Sequence, residues 1–330
     1  MQQYKPPFTI SNKMLTLVSS ISEKIGKLND YSYFENKPQL RKNNRIKSIH
    51  SSLAIEANSL SLEQMRNVLN GHIVIGPQKE IQEVRNAYKA YEEITKIDPY
   101  KVEELKRIHG VMTYLVVEDS GEFRQGEEGV FDGERCIFMA PSSKLVPELM
   151  DSLFSWMEMA KEELHPLILS SIFHYEFVFI HPFTDGNGRM ARLWQTAVLS
   201  SWKPAFQYLP IESQIKDFQA EYYSAISQCH KEGNSDTFIE FMLEQIDRTL
   251  TDVMSRTSYL GEQVTEYVYR LLDVMEFDVP YTANAVMENL DMKSKESLRK
   301  NYINPAIEMN LITMTEPSKP TSRNQRYIKK

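Results

Sequence analysis

The sequence predicts an all-α protein that is interrupted by one small β-hairpin and ends in a C-terminal module of short helices and two strands. Three observations lead there. From Phe8 onward, apolar residues recur at three- and four-residue spacing through most of the chain, the period of helices that bury one face. One long stretch, 121–141, loses that period and is broken by Gly126, Gly129 and Gly133. After Thr251 the helical runs shorten, and Leu311–Met314 and Arg326–Ile328 read as strands around a Pro-containing turn.

Taken in order, Ile10, Met14, Leu17, Val18, Ile21 and Ile25 make a first helix within Phe8–Leu28, closed at Gly26. A second, about 42–58, carries Ile46, Ile49 and Leu53 on one face and Ser48, Ser52 and Glu56 on another. On pattern alone, Glu56 is an acidic residue at a solvated helix end. Ser61-Leu62-Glu63-Gln64 has the spacing of a capping box. Ile81–Ile97 is amphipathic and ends at Asp98-Pro99, and Val102–Val117 follows, with His109 read as a packed or surface residue. In the glycine-broken stretch, Arg135, Cys136, Ile137, Phe138 and Met139 form a short strand. Leu145–Ala160 and Pro166–Ile180 are strongly periodic helices, and His174 in the latter reads as structural. Asp217–Tyr223 precedes a helix running toward Gly233-Asn234. Leu260–Phe277, Thr282–Leu290 and Ser294–Met309 are the helices that precede the final strands.

Composition narrows the classes. A chain of 330 residues, 42% hydrophobic and 25% charged, reads as a folded globular protein of two or three domains. No run approaches the roughly 18 apolar residues of a membrane span, and Met1–Pro7 lacks the marks of a secretory leader. A cytoplasmic protein without a membrane partner is expected. Cys136 and Cys229 form no Cys-x-x-Cys pair, so neither a disulfide framework nor a zinc site is expected. His174 is not part of a His-Glu-x-x-His run, which leaves a zinc peptidase unsupported. The net charge is −7, yet 293–330 holds nine Lys/Arg against three Glu. That local excess permits nucleic-acid contact without favouring it.

The chemistry concentrates in His181-Pro182-Phe183-Thr184-Asp185-Gly186-Asn187-Gly188-Arg189-Met190-Ala191-Arg192. Gly186 and Gly188 let backbone N–H groups approach a ligand, and the run after them opens a helix, whose N-terminus favours phosphate. Asp185 suits Mg²⁺, which takes one or two protein carboxylates and fills its sphere with substrate phosphates. Arg189 and Arg192 fall on one helix face and can grip separate phosphates. His181 titrates near neutrality and can take a proton from a hydroxyl. Asn187 can donate its amide to the same oxygens. Gly-Asn-Gly alone would be an ordinary turn; its combination with His, Asp and two Arg is what points to a phosphate site. The run is neither a Walker A loop nor a Gly-x-Gly-x-x-Gly fingerprint.

Residues 181–192 resemble the Fic (filamentation induced by cAMP) motif, His-x-Phe-x-Asp/Glu-Gly-Asn-Gly-Arg-x-x-Arg, at every fixed position. The resemblance implies a Fic-type helical bundle and a protein adenylyltransferase that moves AMP from ATP to a Ser, Thr or Tyr hydroxyl of a target protein, or of itself. It implies His181 as general base, Asp185 as Mg²⁺ ligand, Gly186–Gly188 as anion-binding turn, Arg189 at the β-phosphate, Arg192 at the γ-phosphate, and Phe183 as a buried anchor. Ser52 and Glu56 fit the Ser/Thr-x-x-x-Glu-Gly/Asn motif of Fic proteins with an N-terminal inhibitory helix, although Ala57 departs from Gly or Asn and Asn58 comes one place later. A carboxylate on Arg192 would take the bonds a γ-phosphate needs. The same Glu56 is open to a second role, as base in removing AMP.

The stretch 121–141 resembles the Fic flap, with Arg135–Met139 the strand on which a target's backbone would pair. Tyr222 and Tyr223 fall where relatives border the adenosine, while His230 stands where the family often has Asn near the ribose. The last third resembles a winged-helix module. The expected domains are 1–98, 99–250 and 251–330. Two other readings stay open: a hydrolase that strips AMP, and a nucleotide-sensing regulator that binds DNA. Homo-oligomerisation is left open.

Overall fold

The computed structural model describes residues 4–30, 38–132, 135–258, 265–275 and 279–329. The chain divides into two compact units, Met1–Tyr31 with Asn44–Thr251, and Ser32–Asn43 with Asp252–Lys330. Its helices begin with α1 (Asn12–Asp30), α2 (Pro38–Ile55), α3 (Leu62–Leu69), α4 (Gln78–Glu92) and α5 (Val102–Met112). A hairpin, β1 (Gly129–Asp132) and β2 (Arg135–Met139), precedes α6 (Val146–Ala160), α7 (Pro166–Ile180) and α8 (Asn187–Trp202). Then come α9 (Ile211–Asp217), α10 (Gln219–Glu232) and α11 (Asp236–Ser258).

The core is organised on α7. Its sequence, PLILSSIFHYEFVFI, is apolar nearly all round, and such a helix must be enclosed. It packs between α6 and α8. Each fully buried Leu, Ile or Phe there contributes about 1.5–3 kcal/mol. The polar residues on α7 are satisfied locally: Ser171 donates to the Leu167 carbonyl at 2.8 Å, and Glu176 accepts from the Tyr4 hydroxyl at 2.5 Å. His174 lies between Gln195 Oε1 and the Tyr222 hydroxyl, at 2.5 and 3.0 Å. It is structural, as its sequence context suggests.

Several boundaries move. α1 does not stop at Gly26: Ile21, Ile25 and Leu28 keep burying one face, and the Ser11 hydroxyl accepts from the Met14 N–H at its start. The Ile81–Ile97 run breaks after Glu92 into a 3₁₀ turn, Ile94–Lys96. The helix from Val102 ends at Met112 rather than Val117. Tyr222 and Tyr223 lie within α10 instead of before it. The capping box is formed as expected, with Ser61 accepting from Gln64 N–H and Gln64 accepting from Ser61 N–H.

The C-terminal unit has its own core, built on Val268, Leu271, Leu298, Tyr302, Ile312 and Tyr327. Helix α12 (Glu266–Val274) is shorter than the expected Leu260–Phe277, of which residues 260–264 and 276–277 lie outside those described. Helix α13 (Ala283–Asn289) is capped by Thr282, and Ser294 caps α14 (Lys295–Ser297), which passes through a π-helical turn into α15 (Asn304–Glu308). An antiparallel sheet of order β3-β5-β4 joins β4 (Ile312–Met314) and β5 (Tyr327–Lys329) to β3 (Pro280–Tyr281), a strand the sequence reading lacked. Among the described residues no helix is long and apolar enough to cross a membrane.

Candidate active site

The loop between α7 and α8 is turned by two left-handed residues. His181 caps α7 at φ 52°, ψ 58°, and Gly186 opens α8 at φ 85°. A left-handed non-glycine residue is uncommon and persists only where the surroundings enforce it. Here they do. Phe183 is fully buried, with its ring stacked on His109 at 3.6 Å. The Asn187 side chain accepts from Phe183 N–H at 3.0 Å and donates to the Phe183 carbonyl at 2.6 Å. His109 Nε2 bonds the Asp185 carbonyl at 2.9 Å. Arg124, itself buried, donates to the carbonyls of His181, Gly126 and Pro141 at 2.7, 2.7 and 2.5 Å, fastening the loop to both ends of the hairpin segment.

Asn187 therefore corrects the expectation. Its side-chain oxygen and one amide N–H are taken by Phe183, and the residue is buried, so its main part is in holding the loop rather than in meeting phosphate oxygens. It is a staple.

The two arginines point inward from the first turns of α8. Arg192 is buried, with Nε donating to the Ser52 hydroxyl at 2.9 Å and Nη2 to the Ser52 carbonyl at 3.0 Å and Glu56 Oε1 at 2.8 Å. Ser52 and Glu56 reach one guanidinium because they stand one helical turn apart. Glu56 also sits against Gly188: a Cβ there would lie 2.2 Å from Glu56 Oε1, so any larger residue would push the carboxylate from its present place. Arg189 donates to Asp185 Oδ1 at 2.6 Å and faces Glu83 Oε1 at 3.3 Å.

Charge and burial set the protonation states. Burial is the main reason the His181 imidazole lies below its ordinary pKa, with Arg124 adding to the effect, so the ring is neutral near pH 7. At Asp185 burial pushes the carboxyl up, but Arg189, the Gly186 N–H and Lys79 outweigh it and hold the group ionised below its ordinary value. At Arg192 the burial penalty is overcome by Glu56, and the guanidinium stays charged.

A model of the Fic/DOC family matches residues 97–199, and one described as Filamentation induced by cAMP protein Fic-like, C-terminal domain matches 266–328. A Fic family protein from Desulfovibrio desulfuricans G20, solved by crystallography, is 40% identical, with a TM-score of 0.74, 99% of this chain covered and 98% of that one. The chain belongs to the Fic family. Proteins named protein adenylyltransferase Fic from Aedes aegypti and Nematostella vectensis are 30% and 28% identical over 66% of this chain. The match covers 44% and 51% of their lengths, so this Fic protein spans about half of each.

Other candidate residues of the Fic protein are divided by the fold. Tyr222 is 2% exposed and its hydroxyl is held by His174, so it corrects the expectation that it borders the adenosine; Tyr223 is 48% exposed and remains available. β1 and β2 pair antiparallel, Val130 with Phe138 and Phe131 with Cys136, across a bulge. Of the flap, 133 and 134 lie outside the described residues, and for Arg135, Cys136 and Ile137 the description is of the backbone pairing. Met139 is exposed, whereas Phe138 turns inward to stack on His230 at 4.1 Å. His230 is thus a contact of the flap.

Sequence reasoning missed His109, Arg124, Glu83 and Lys79 as parts of this site. Lys79 Nζ lies 3.5 Å from Asp185 Oδ2. No local pattern marks these residues, because each is recruited from a distant element. Among the described residues Asp185 has no cluster of His, Cys, Asp or Glu around it. Its side chain is 34% exposed, and one hard carboxylate beside the N-terminus of α8 fits Mg²⁺ ligated mainly by phosphate and water.

Proposed function

We propose that this Fic protein transfers AMP from ATP to a hydroxyl of a protein, and that Glu56 restrains it. The observation that carries the reading is the grip of Ser52 and Glu56 on Arg192, a buried guanidinium otherwise placed for a phosphate at the N-terminus of α8. In the proposed step the target's hydroxyl oxygen attacks the α-phosphorus of ATP. His181 takes the hydroxyl proton, the bond to the β-phosphate oxygen breaks, and pyrophosphate leaves. A neutral imidazole is what such a base requires. Arg189 would hold the β-phosphate and Arg192 the γ-phosphate. Asp185 would hold Mg²⁺, which supplies positive charge to the phosphate oxygens. An edge of the β1–β2 hairpin, which pairs with no third strand among the described residues, would take the target's backbone as an added strand, and Tyr223 would border the nucleoside.

Restraint follows from competition. With Glu56 on Arg192 the triphosphate cannot take its in-line pose, and a displacement of about 1 Å costs on the order of a hundredfold in rate. Incubation of the full chain with labelled ATP and Mg²⁺ tests this. Glu56→Gly should raise covalent self-labelling roughly ten- to a hundredfold, and His181→Ala in that background should abolish labelling while ATP still binds. Reversible binding without covalent label in Glu56→Gly would replace the transferase with a nucleotide sensor. The 37% exposure of the Glu56 side chain also leaves room for a water beside it, which supports AMP removal as a second reading; release of AMP from a pre-modified protein, lost in Glu56→Gly, would mark it. The C-terminal unit we read as a winged-helix-like accessory module of a cytoplasmic protein.

A further inference from the structure

Arg189 is surrounded by more negative charge than it needs. Its side chain is 4% exposed and is faced by two carboxylates, Asp185 and Glu83. Asp185 makes a close hydrogen bond at 2.6 Å. Glu83 does not: it stands 3.3 Å from Nη1, and among the described residues Nη1 and Nε are buried without a hydrogen-bond partner. Two nitrogens of a buried cation are thus uncommitted, beside an anion that blocks their use.

The Glu83 side chain, on α4, is 12% exposed, and its second oxygen is anchored. Asn58 Nδ2 donates to Glu83 Oε2 at 2.9 Å. Asn58 belongs to the end of α2 that carries Glu56, its own N–H bonding the Leu53 carbonyl at 3.1 Å. The neighbouring Ser59 gives both its N–H and its hydroxyl to Glu80, one turn before Glu83 on α4, at 2.6 and 2.7 Å. One end of α2 therefore places Glu56 on Arg192 and, through Asn58, tethers Glu83 against Arg189.

We propose that Glu83 is a second inhibitory carboxylate, acting on Arg189 as Glu56 acts on Arg192 and tied to the same helix end by Asn58. The assignment of Arg189 to a β-phosphate rests on the AMP-transfer reading. A β-phosphate oxygen arriving at Nη1 or Nε would meet a tethered like charge within a few ångströms. Displacement of the α2 terminus would loosen both carboxylates at once, which couples the two arginines without direct contact between them.

The test uses the full chain with Mg²⁺ and two ligands, ADP, which has a β-phosphate, and AMP, which has none. Glu83→Gln keeps the shape and an oxygen for Asn58 but removes the charge. Its ADP affinity should rise on the order of tenfold, the scale of one partly buried charge pair, and its AMP affinity should stay as in the parent chain. Asn58→Ala, which frees Glu83 without removing its charge, should give a smaller gain for ADP and none for AMP. An unchanged ADP affinity, or an equal gain for AMP, would overturn the proposal; a thermal melt of each variant identifies one that fails to fold, and the other then decides. The readout is independent of transfer. An ADP-selective gain in a chain whose Glu56→Gly form never labels itself would remove the transferase reading and leave Glu83 as a gate for diphosphates.

Discussion

With Nε2–H donated to the Asp185 carbonyl and Nδ1 accepting from the Gly121 N–H, the His109 ring is held in one neutral tautomer and stacked on Phe183. Burial lowers its pKa from 6.5 to about 4, and that of His174 to about 3. The sign follows from proton counting. Between pH 6.5 and about 4 the unfolded chain binds a proton at His109 that the folded chain refuses, so stability falls as pH falls through that window and is fully present above it. His109→Gln should reduce proton uptake on unfolding near pH 5.5 by about one; the pH dependence of urea midpoints for both proteins measures it, and equal slopes would count against a neutral, buried His109. The same residue shows what a motif reading reaches. His181, Asp185, Arg189 and Arg192 were legible because their chemistry is contiguous. His109 and Arg124 brace them from elements that only the fold brings near, and the helical spacing of His109 is that of any packed residue.

Helix α2 ends in a Schellman arrangement: Asn58 N–H bonds the Leu53 carbonyl, Ala57 N–H bonds the Ala54 carbonyl, and Ala57 is left-handed at φ 64°. Glu56 is the residue at the helix boundary, aimed by this geometry at Arg192. The departure noticed in the sequence, Ala where Gly or Asn is expected, thus falls on the one position of the terminus that needs a positive φ. An L-residue with a Cβ costs about 1–2 kcal/mol there, partly offset by the greater freedom of glycine in the unfolded chain. Ala57 is exposed, so replacing it loses no packing. Ala57→Gly should stabilise by about 1 kcal/mol, raising Tm by roughly 2–4 °C, and by holding the terminus more firmly should lower self-labelling. Adjacent glycine substitutions at 56 and 57 would then act in opposite directions, and a rise in labelling from both would mean that any loosening of this turn activates. Elements were legible where the local chemistry was strong. Pro166 and a largely apolar run placed α7 to the residue. Gly26 misled because a glycine within a helix is merely unfavourable, and β3 was invisible because two residues, Pro280 and Tyr281, carry no period.

At the scale of the molecule, the site and the C-terminal unit are supported by different cores. The motif loop is enclosed by α7, α8, His109 and Arg124, whereas the C-terminal cluster runs from Val268 to Tyr327. Removing only the basic tail 293–330 would cut that cluster in half. It would take away Leu298, Tyr302, Ile303, Ala306, Ile312 and Tyr327 and leave the apolar faces of α12 and α13 in water. At about 25 cal/mol per Å² of exposed apolar surface, such a remnant is an aggregation hazard and says nothing about chemistry. The informative deletion ends the chain after Ser258 and removes the cluster whole. In the Glu56→Gly background it should retain ATP affinity and self-labelling within about twofold, because every side chain placed around Arg189, Arg192 and His181 precedes the cut; the comparison holds if circular dichroism shows the helical unit still folded. A folded truncate that has lost labelling would mean the C-terminal unit supplies the modified hydroxyl, and mass spectrometry of the labelled full chain would locate it there.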